Sequence, residues 1–187
     1  MAARAEAAAE TAVRIVAAAT ELFLTRPYEQ VALDDVARLA GVTVQTVLRR
    51  YGSKEGLVAA AAQAAERTVQ ADRERAPVGN LAGAIANLAA HYEEWGDRVL
   101  RLLSQEERIE PLRRVTDAGR ALHRRWVERT FAPWLRGRGA ARGQRLAQLA
   151  AVTDVYTWKL LRKDQGLSRE RTEHAILDLV RRITGGT

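Results

Sequence analysis

The stretch from residue 31 to 57, VALDDVARLAGVTVQTVLRRYGSKEGL, constrains the fold of this chain more than any other part. The apolar residues of its first half recur at the spacing of an α-helix with one buried face: Leu33, Val36, Ala37 and Ala40. Gly41 follows them, and the residue just past a helix often needs the left-handed backbone that glycine adopts without a Cβ penalty. We therefore expect a short helix that ends at a glycine turn.

A second helix is predicted from residue 44 to 51. Thr43 precedes it and offers a side-chain oxygen to the free amides of its first turn. Val47 is the expected inward residue, with Val42 and Tyr51 closing a small core around it. Two helices joined by a short turn form the helix-turn-helix unit that reads DNA. The stretch thus predicts a DNA-binding motif.

The first turn of this second helix is the part that meets base edges in the major groove. Gln45 can pair bidentately with adenine, but glutamine is equally common on solvated helices, and both interpretations stay open. Residues 38–54 carry four basic side chains and no acidic one, and Ser53 is placed to cap a following helix, so this segment suits phosphate. The predicted DNA-binding residues of the motif are Thr43, Val44, Gln45, Thr46, Leu48, Arg49, Arg50 and Lys54.

In these residues the chain resembles the TetR family of bacterial transcriptional regulators. The resemblance covers about the first third of the chain: an amphipathic helix, an acidic-then-apolar segment, Gly-Val-Thr at 41–43, the recognition helix and Gly-Ser-Lys-Glu at 52–55. Two positions depart from the family pattern. Ala32 replaces the usual capping threonine, so that either the cap is missing or Asp34 or Asp35 supplies the helix start. Leu48 replaces a tyrosine, which exchanges a hydroxyl for an apolar contact.

The resemblance also carries functional implications. It implies a homodimer whose two recognition helices read a palindromic double-stranded DNA operator, and a C-terminal bundle that binds a small-molecule effector. It further places Tyr28 beside the DNA backbone, whereas packing under the first helix is an equally good role for that residue. The implied function is a repressor released from its operator by the effector.

Composition limits the alternatives. The chain has 187 residues and is 47% hydrophobic, which indicates a folded protein, and its formal charge of +7 favours association with a polyanion or an acidic surface. Residues 1–57 hold seven basic and seven acidic side chains, so the excess positive charge lies further along, mostly in arginines. DNA binding is therefore inferred from the motif and its local charge, with net charge as mild support.

No enzyme, metal or cofactor site is predicted. Cysteine is absent from the sequence, and neither a glycine-rich phosphate loop nor a nucleophile elbow is present. His91 with Glu94 and Glu170 with His174 sit at helical offsets, but we interpret both pairs as solvated helix surface. The alanine-rich N-terminus is interrupted by charges, and no apolar run is long enough to span a bilayer, so a cytoplasmic protein without membrane contact is expected.

The whole chain shows helical periodicity, which predicts an all-α fold with an N-terminal three-helix domain and a C-terminal helical bundle. The predicted domains are 1–53 for DNA binding, 54–76 as a connector helix, and 77–187 for ligand binding and dimerisation. Helices are expected over 5–25, 54–75, 80–104, 116–134, 144–162 and 168–183. The segments 105–113 and 136–143 are predicted to be loops, Pro77 to break the connector, and residues 184–187 to fray.

Two further sets of residues have more than one interpretation. Aromatic and apolar residues on several helices could line a ligand pocket or fill an ordinary core: Trp95, Val99, Leu103, His123, Trp126 and Tyr156. Apolar residues of the last two helices could pair across a four-helix dimer interface or belong to the core of one chain: Leu149, Val152, Thr153, Ile176, Leu179, Val180 and Ile183.

The sequence therefore predicts a DNA-binding regulator. An alternative from another class is a helical ligand-sequestering or protein-interaction module in which DNA reading has degenerated, an interpretation that Ala32 and Leu48 motivate. A steep salt dependence with little discrimination between duplexes would favour this alternative.

Overall fold

The structure is a computed structural model that describes residues 1–76 and 78–185, with nothing described for the side chain of Ala2. Pro77, where the connector is predicted to break and the C-terminal domain to begin, lies outside the described residues, as do Gly186 and Thr187 of the predicted frayed end. All regular structure in the described part of the chain is helical, which confirms the all-α prediction. Its α-helices are α1 (Ala2–Thr25), α2 (Leu33–Ala40), α3 (Val44–Tyr51), α4 (Lys54–Arg73), α5 (Leu81–Leu103), α6 (Glu110–Thr130), α7 (Gly139–Val152), α8 (Val155–Lys159) and α9 (Arg169–Thr184).

The chain divides into two compact units. Unit 1 comprises Met1–Thr68 and Arg101–Asp117, and unit 2 comprises Val69–Leu100 and Ala118–Thr187. The functions assigned to the predicted domains remain predictions. The boundaries of the two packing units differ from the predicted domain boundaries in one segment. Residues 101–117, which the sequence assigns to the C-terminal domain, pack within unit 1.

Unit 1 has an apolar core built on one face of α1. Ile15 and Ala19 are fully buried there, together with Val36 of α2 and Val47 of α3. Ile109, just before α6, and Leu112, in its first turn, complete this core. The α1 helix ends where predicted, because Arg26 precedes a proline and takes an extended backbone, φ −124° and ψ 153°.

Unit 2 packs the apolar face of α5 against the later helices. Ala84, Ile85 and Leu88 are fully buried on this face. Gly96 lies further along the same helix, and Trp158 of α8 packs against it. A Cβ built at Gly96 would stand 2.4 Å from the Trp158 ring, so only glycine leaves room for this tryptophan.

Several predicted boundaries in the C-terminal half are wrong. The α6 helix begins at Glu110 and includes Pro111, because a proline in the first helical turn needs no amide partner. The predicted loop at 136–143 is shorter, since α7 begins at Gly139. The helix predicted over 144–162 is interrupted: Asp154 accepts a hydrogen bond from the Tyr156 amide at 2.9 Å and starts α8.

The remaining elements are short turns and the last helix. Turns of 3₁₀ type occur at Tyr28–Gln30 and Ala132–Trp134, and a π-helical turn at Leu160–Asp164 follows α8. The last helix begins as predicted, because Ser168 caps α9 by accepting a hydrogen bond from the Arg171 amide at 3.2 Å. Within the described residues, no helix is both long enough and apolar enough to cross a membrane.

Candidate functional site

The turn between α2 and α3 has the geometry that the sequence predicts. Gly41 adopts the left-handed conformation, φ 66° and ψ 40°, and the Val42 amide donates to the Ala37 carbonyl at 2.9 Å. Thr43 then caps α3, because its Oγ1 accepts a hydrogen bond from the Thr46 amide at 3.2 Å. These bonds fix the start of α3 relative to α2, and they confirm the predicted helix-turn-helix.

The start of α2 shows how the chain manages without a capping threonine. Ala32 stands at the N-cap and its side chain makes no capping bond. Instead, the Asp35 carboxylate accepts from the backbone amide of Ala32, which is half of a capping box. A hydrogen bond from Arg38 is the main cause that holds the pKa of Asp35 below its usual value. Asp35 therefore contributes to this helix start, whereas the first-turn amide that a capping threonine would bind has no side-chain cap.

This pairing reduces the positive charge that residues 38–54 can offer to a polyanion. Arg38 forms a salt bridge with Asp35 at 2.5 Å, and Arg26 lies 3.7 Å from the same carboxylate. The charge of Arg38 is consequently balanced within the protein, while Arg49 and Arg50 on α3 are exposed. The positive charge available to a polyanion is thus concentrated on the last turn of α3.

The α3 helix presents one face to solvent and one to the core. Val47 is fully buried, whereas Leu48 is 37% exposed, so its apolar side chain faces solvent. The other predicted contact residues in the first turn are exposed or half-buried: Thr43, Val44, Gln45 and Thr46. Thr43, Gln45 and Leu48 are therefore exposed to solvent, whereas Val44 also packs against the core of unit 1.

The start of α4 is capped as the sequence predicts. The Gly56 amide donates to Ser53 Oγ at 3.2 Å, which satisfies one of the free amides of the first turn. Lys54 is the first residue of this helix and is half-buried. The predicted phosphate-binding lysine is therefore held at a capped helix start.

Tyr28 and Lys54 contact each other at the edge of this surface. The Tyr28 ring stacks on Phe23 with centroids 5.8 Å apart, so this tyrosine packs under α1. Lys54 Nζ donates to the Tyr28 carbonyl at 2.5 Å and lies 4.1 Å from the centre of the Tyr28 ring. Burial is the main cause that raises the pKa of Tyr28 to about 12 and lowers the pKa of Lys54.

Two polar residues outside the predicted site complete this corner. The Tyr28 hydroxyl donates to Glu55 Oε1 at 3.1 Å, and the Tyr28 amide donates to Gln105 Oε1 at 2.9 Å. Gln105 is 6% exposed and comes from the segment predicted to be a polar loop of the other domain. The contact spans 77 residues of sequence, so local pattern carries no signal for it.

A second candidate site lies in unit 2, around a buried arginine. Arg73, the last residue of α4, is 6% exposed and its Nη1 lies 3.0 Å from His123 Nδ1. Because a guanidinium can only donate, His123 Nδ1 must accept, and the ring proton of neutral His123 sits on Nε2. Nε2 lies 3.2 Å from both the Ala150 carbonyl and Thr153 Oγ1.

Two histidines flank this arginine as uncharged rings. Burial is the larger cause, and the Arg73 charge the next, in lowering the pKa of both His91 and His123 to about 4. His91 is 7% exposed, so the prediction that it is solvated is wrong, whereas His174 is exposed as expected. Among the described residues, no group of histidine and acidic side chains is arranged to hold a metal ion.

A cavity of about 160 Å³ opens beside this cluster. It is lined by both polar and apolar side chains: Gln70, Arg73, Glu74, Leu122, Arg125, Trp126 and Arg129. A second depression, of about 310 Å³, lies between α6 and α7 and is lined in part by His123. Both lie entirely within unit 2.

The structure brings together two of the six predicted pocket residues. His123 and Trp126 stack with ring centroids 5.6 Å apart. Two residues that the sequence prediction does not include, Arg73 and Leu122, line the smaller cavity. The other four predicted residues line neither cavity: Trp95, Val99, Leu103 and Tyr156. Leu103 packs within unit 1, and Tyr156 is exposed.

The predicted interface residues fall into a buried group and a more exposed group. Four are fully buried in the single chain and fill its core: Leu149, Thr153, Ile176 and Val180. Val152 and Ile183 are half-buried, and Leu179 is 39% exposed. The large exposed apolar residues of this region are Tyr156, Leu160 and Leu179.

Comparison with known proteins agrees with this geometry. Residues 15–61 match the family described as bacterial regulatory proteins, tetR family. A tetR-family transcriptional regulator from Streptomyces coelicolor is 18% identical, with a TM-score of 0.71 over 94% of this chain and 89% of that one. A transcriptional regulator from Rhodococcus sp. Rha1 is 17% identical, with a TM-score of 0.71 over 93% of this chain and 96% of that one. No curated protein matches the chain.

Proposed function

We propose, from the premise that this chain belongs to the TetR family of bacterial regulatory proteins and is a DNA-binding transcriptional regulator, that it represses transcription from a palindromic operator. The observation that carries the proposal is the exposed face of α3. Gln45 and Thr43 stand at its start, and Arg49 and Arg50 on its last turn. Base edges would be read by the first pair and phosphates held by the second.

We infer that the repressor acts as a homodimer. A palindrome requires two recognition helices about one DNA turn apart, roughly 34 Å or a multiple of it. The exposed apolar side chains of Tyr156, Leu160 and Leu179 support a contact that includes α8 and α9. The four predicted interface residues that are buried within one chain have no exposed surface with which to contact a second chain.

We further propose that a small molecule bound in unit 2 releases the operator. The α4 helix begins at Lys54, just after the helix-turn-helix, and ends at Arg73, on the wall of the 160 Å³ cavity. An occupant of the cavity would bias the position of this helix and with it the spacing of the recognition helices. Operator affinity would then fall by a coupling free energy of about 1–3 kcal/mol.

Selection of bound sequences from a random duplex pool tests the proposal. Enrichment of a palindrome is expected, and that palindrome placed across a promoter should lower reporter transcription when the chain is expressed. Recovery of a palindrome without repression would contradict the repressor role but support sequence-specific DNA binding. Recovery of no motif would favour the degenerate helical module instead.

A further inference from the structure

Arg73 is a buried cation, and its described contacts do not balance its charge. The residue is 6% exposed, and no ion pair with a carboxylate is found for it among the described residues. Its Nη1 lies 3.0 Å from the neutral His123 ring, and its guanidinium carbon lies 5.4 Å from the centre of the Trp126 ring.

A third neighbour of this arginine is also uncharged. The Tyr92 hydroxyl donates to the Thr153 carbonyl at 2.9 Å and lies near Arg73, and burial raises the pKa of Tyr92 to about 12, so the phenol keeps its proton at neutral pH. A buried charge is costly unless it is paired with an opposite charge. The neighbours of Arg73 therefore point to an anion that is not part of this chain.

Two hydrogen-bond donors on the cavity wall also lack acceptors. Arg73 Nε and Trp126 Nε1 are both buried, and neither has a hydrogen-bond partner in the described structure. Each can only donate, so each requires an acceptor atom. Both residues line the same cavity, but these two nitrogen atoms lie beneath its surface, so what the cavity offers a ligand is the charge of Arg73 and the ring of Trp126.

The charge of the cavity wall has the matching sign. Arg73 and Arg129 contribute guanidinium groups, as does Arg125, which has an interaction of its own within the chain, and Glu74 is the acidic residue of the lining. The Glu74 carboxylate accepts a hydrogen bond from Gln70 at 2.9 Å. The wall therefore favours an anion over a cation or a neutral molecule.

The size of the cavity and its apolar lining residues limit the kind of anion that fits. A volume of about 160 Å³ is close to the roughly 150 Å³ of a cavity that holds benzene. The Trp126 indole and the Leu122 side chain provide apolar surface for a ring. We propose that the cavity binds a small aromatic carboxylate, which pairs with the Arg73 guanidinium and packs its ring against the Trp126 indole.

The position of Arg73 links this ligand to regulation. Arg73 is the last residue of α4, and its carbonyl accepts a hydrogen bond from Arg129 Nη2 at 3.2 Å. A carboxylate on Arg73 therefore acts directly on the end of the connector helix. This step rests on the proposed function, since it makes the carboxylate the effector.

Calorimetric titration of the full chain with benzoate, in the absence of DNA, tests the site. Benzoate should bind, and benzamide, which has the same shape without the charge, should bind at least about tenfold more weakly. Arg73→Met should weaken benzoate binding by about tenfold or more, and Trp126→Phe, which reduces the apolar surface for the ligand ring, by a smaller factor.

Arg98→Met is the matched control. Arg98 lies over the Trp95 ring at 4.9 Å in the same unit, outside the cavity lining, and its loss should leave benzoate binding unchanged. Failure of benzoate to bind, equal binding of benzamide, or benzoate binding that survives both Arg73→Met and Trp126→Phe would each overturn the proposal. Benzoate binding that leaves operator affinity unchanged would keep the site and remove the effector-release step.

Discussion

Lys54 Nζ donates to the Tyr28 carbonyl at 2.5 Å and lies 4.1 Å from the centre of the same residue's ring. The first residue of α4 is thereby attached to the segment that joins α1 to α2. Lys54 therefore stabilises the fold in addition to any contact with a DNA phosphate. Arg49 and Arg50 differ from it because their side chains are exposed. Substitutions at these residues should differ accordingly.

Lys54→Ala should lower the free energy of unfolding by about 1–2 kcal/mol, because a charge-assisted hydrogen bond and a cation–π contact are lost. It should also weaken binding about equally on all duplexes and reduce the salt slope by about one. Urea unfolding and fluorescence anisotropy measure the two effects. Lys159→Ala, which removes an exposed pair with Asp164 in unit 2, is the control and should change neither by more than a few tenths of a kcal/mol.

Gln45→Ala should relax one operator position by about 1–3 kcal/mol, because its side chain is exposed on the first turn of α3. Arg49→Ala should weaken binding to all operator variants by about the same factor. Anisotropy titrations with single-base operator variants separate these outcomes. If the two substitutions gave the same pattern across variants, the division into base-reading and phosphate-binding residues would be wrong.

Gly96→Ala should destabilise the chain by about 1–3 kcal/mol, since the new Cβ would stand 2.4 Å from the buried Trp158 ring. Gly119→Ala is the matched control in α6, where a Cβ meets nothing within 4 Å. There the substitution should raise stability by about 0.5–1 kcal/mol through helix propensity. Thermal unfolding of both variants checks the pair, and equal effects would contradict the described packing.

The free energy of unfolding should fall as the pH decreases from about 6.5 to 4. The pKa of both His91 and His123 is about 4 in the folded chain, below the usual value of 6.5, so the unfolded chain binds more protons in this window. The loss should be on the order of 2 kcal/mol per histidine by about pH 4.5. Urea unfolding across this range should show a flatter profile for His91→Leu than for the unsubstituted chain, and equal profiles would contradict the assignment.

The helix-turn-helix can be predicted from the sequence because its determinants lie close together along the chain. Gly41 and Thr43 act on residues within a few positions, and Val47 follows the helical period. The cavity cannot be predicted in the same way. Arg73 meets His123 across 50 residues, and at the charged end of α4 its pattern is that of an ordinary solvated arginine.

The predicted dimer face illustrates a second limit. Helical periodicity marks Leu149, Ile176 and Val180 as apolar, but it does not say which neighbour covers them. The structure covers all three within one chain. The break at Asp154 is hidden for a related reason, because a single capping side chain can divide a helix whose apolar period continues across the break.

The ratio of affinities for the selected palindrome and for a scrambled duplex of equal length, measured at about 0.15 M salt, tests the central claim most directly. A sequence-specific regulator should prefer the palindrome by about 10³-fold or more, and the preference should shrink in the Gln45→Ala variant. A ratio near one, with both affinities falling steeply as salt rises, would contradict the claim and identify a chain that binds DNA by charge alone.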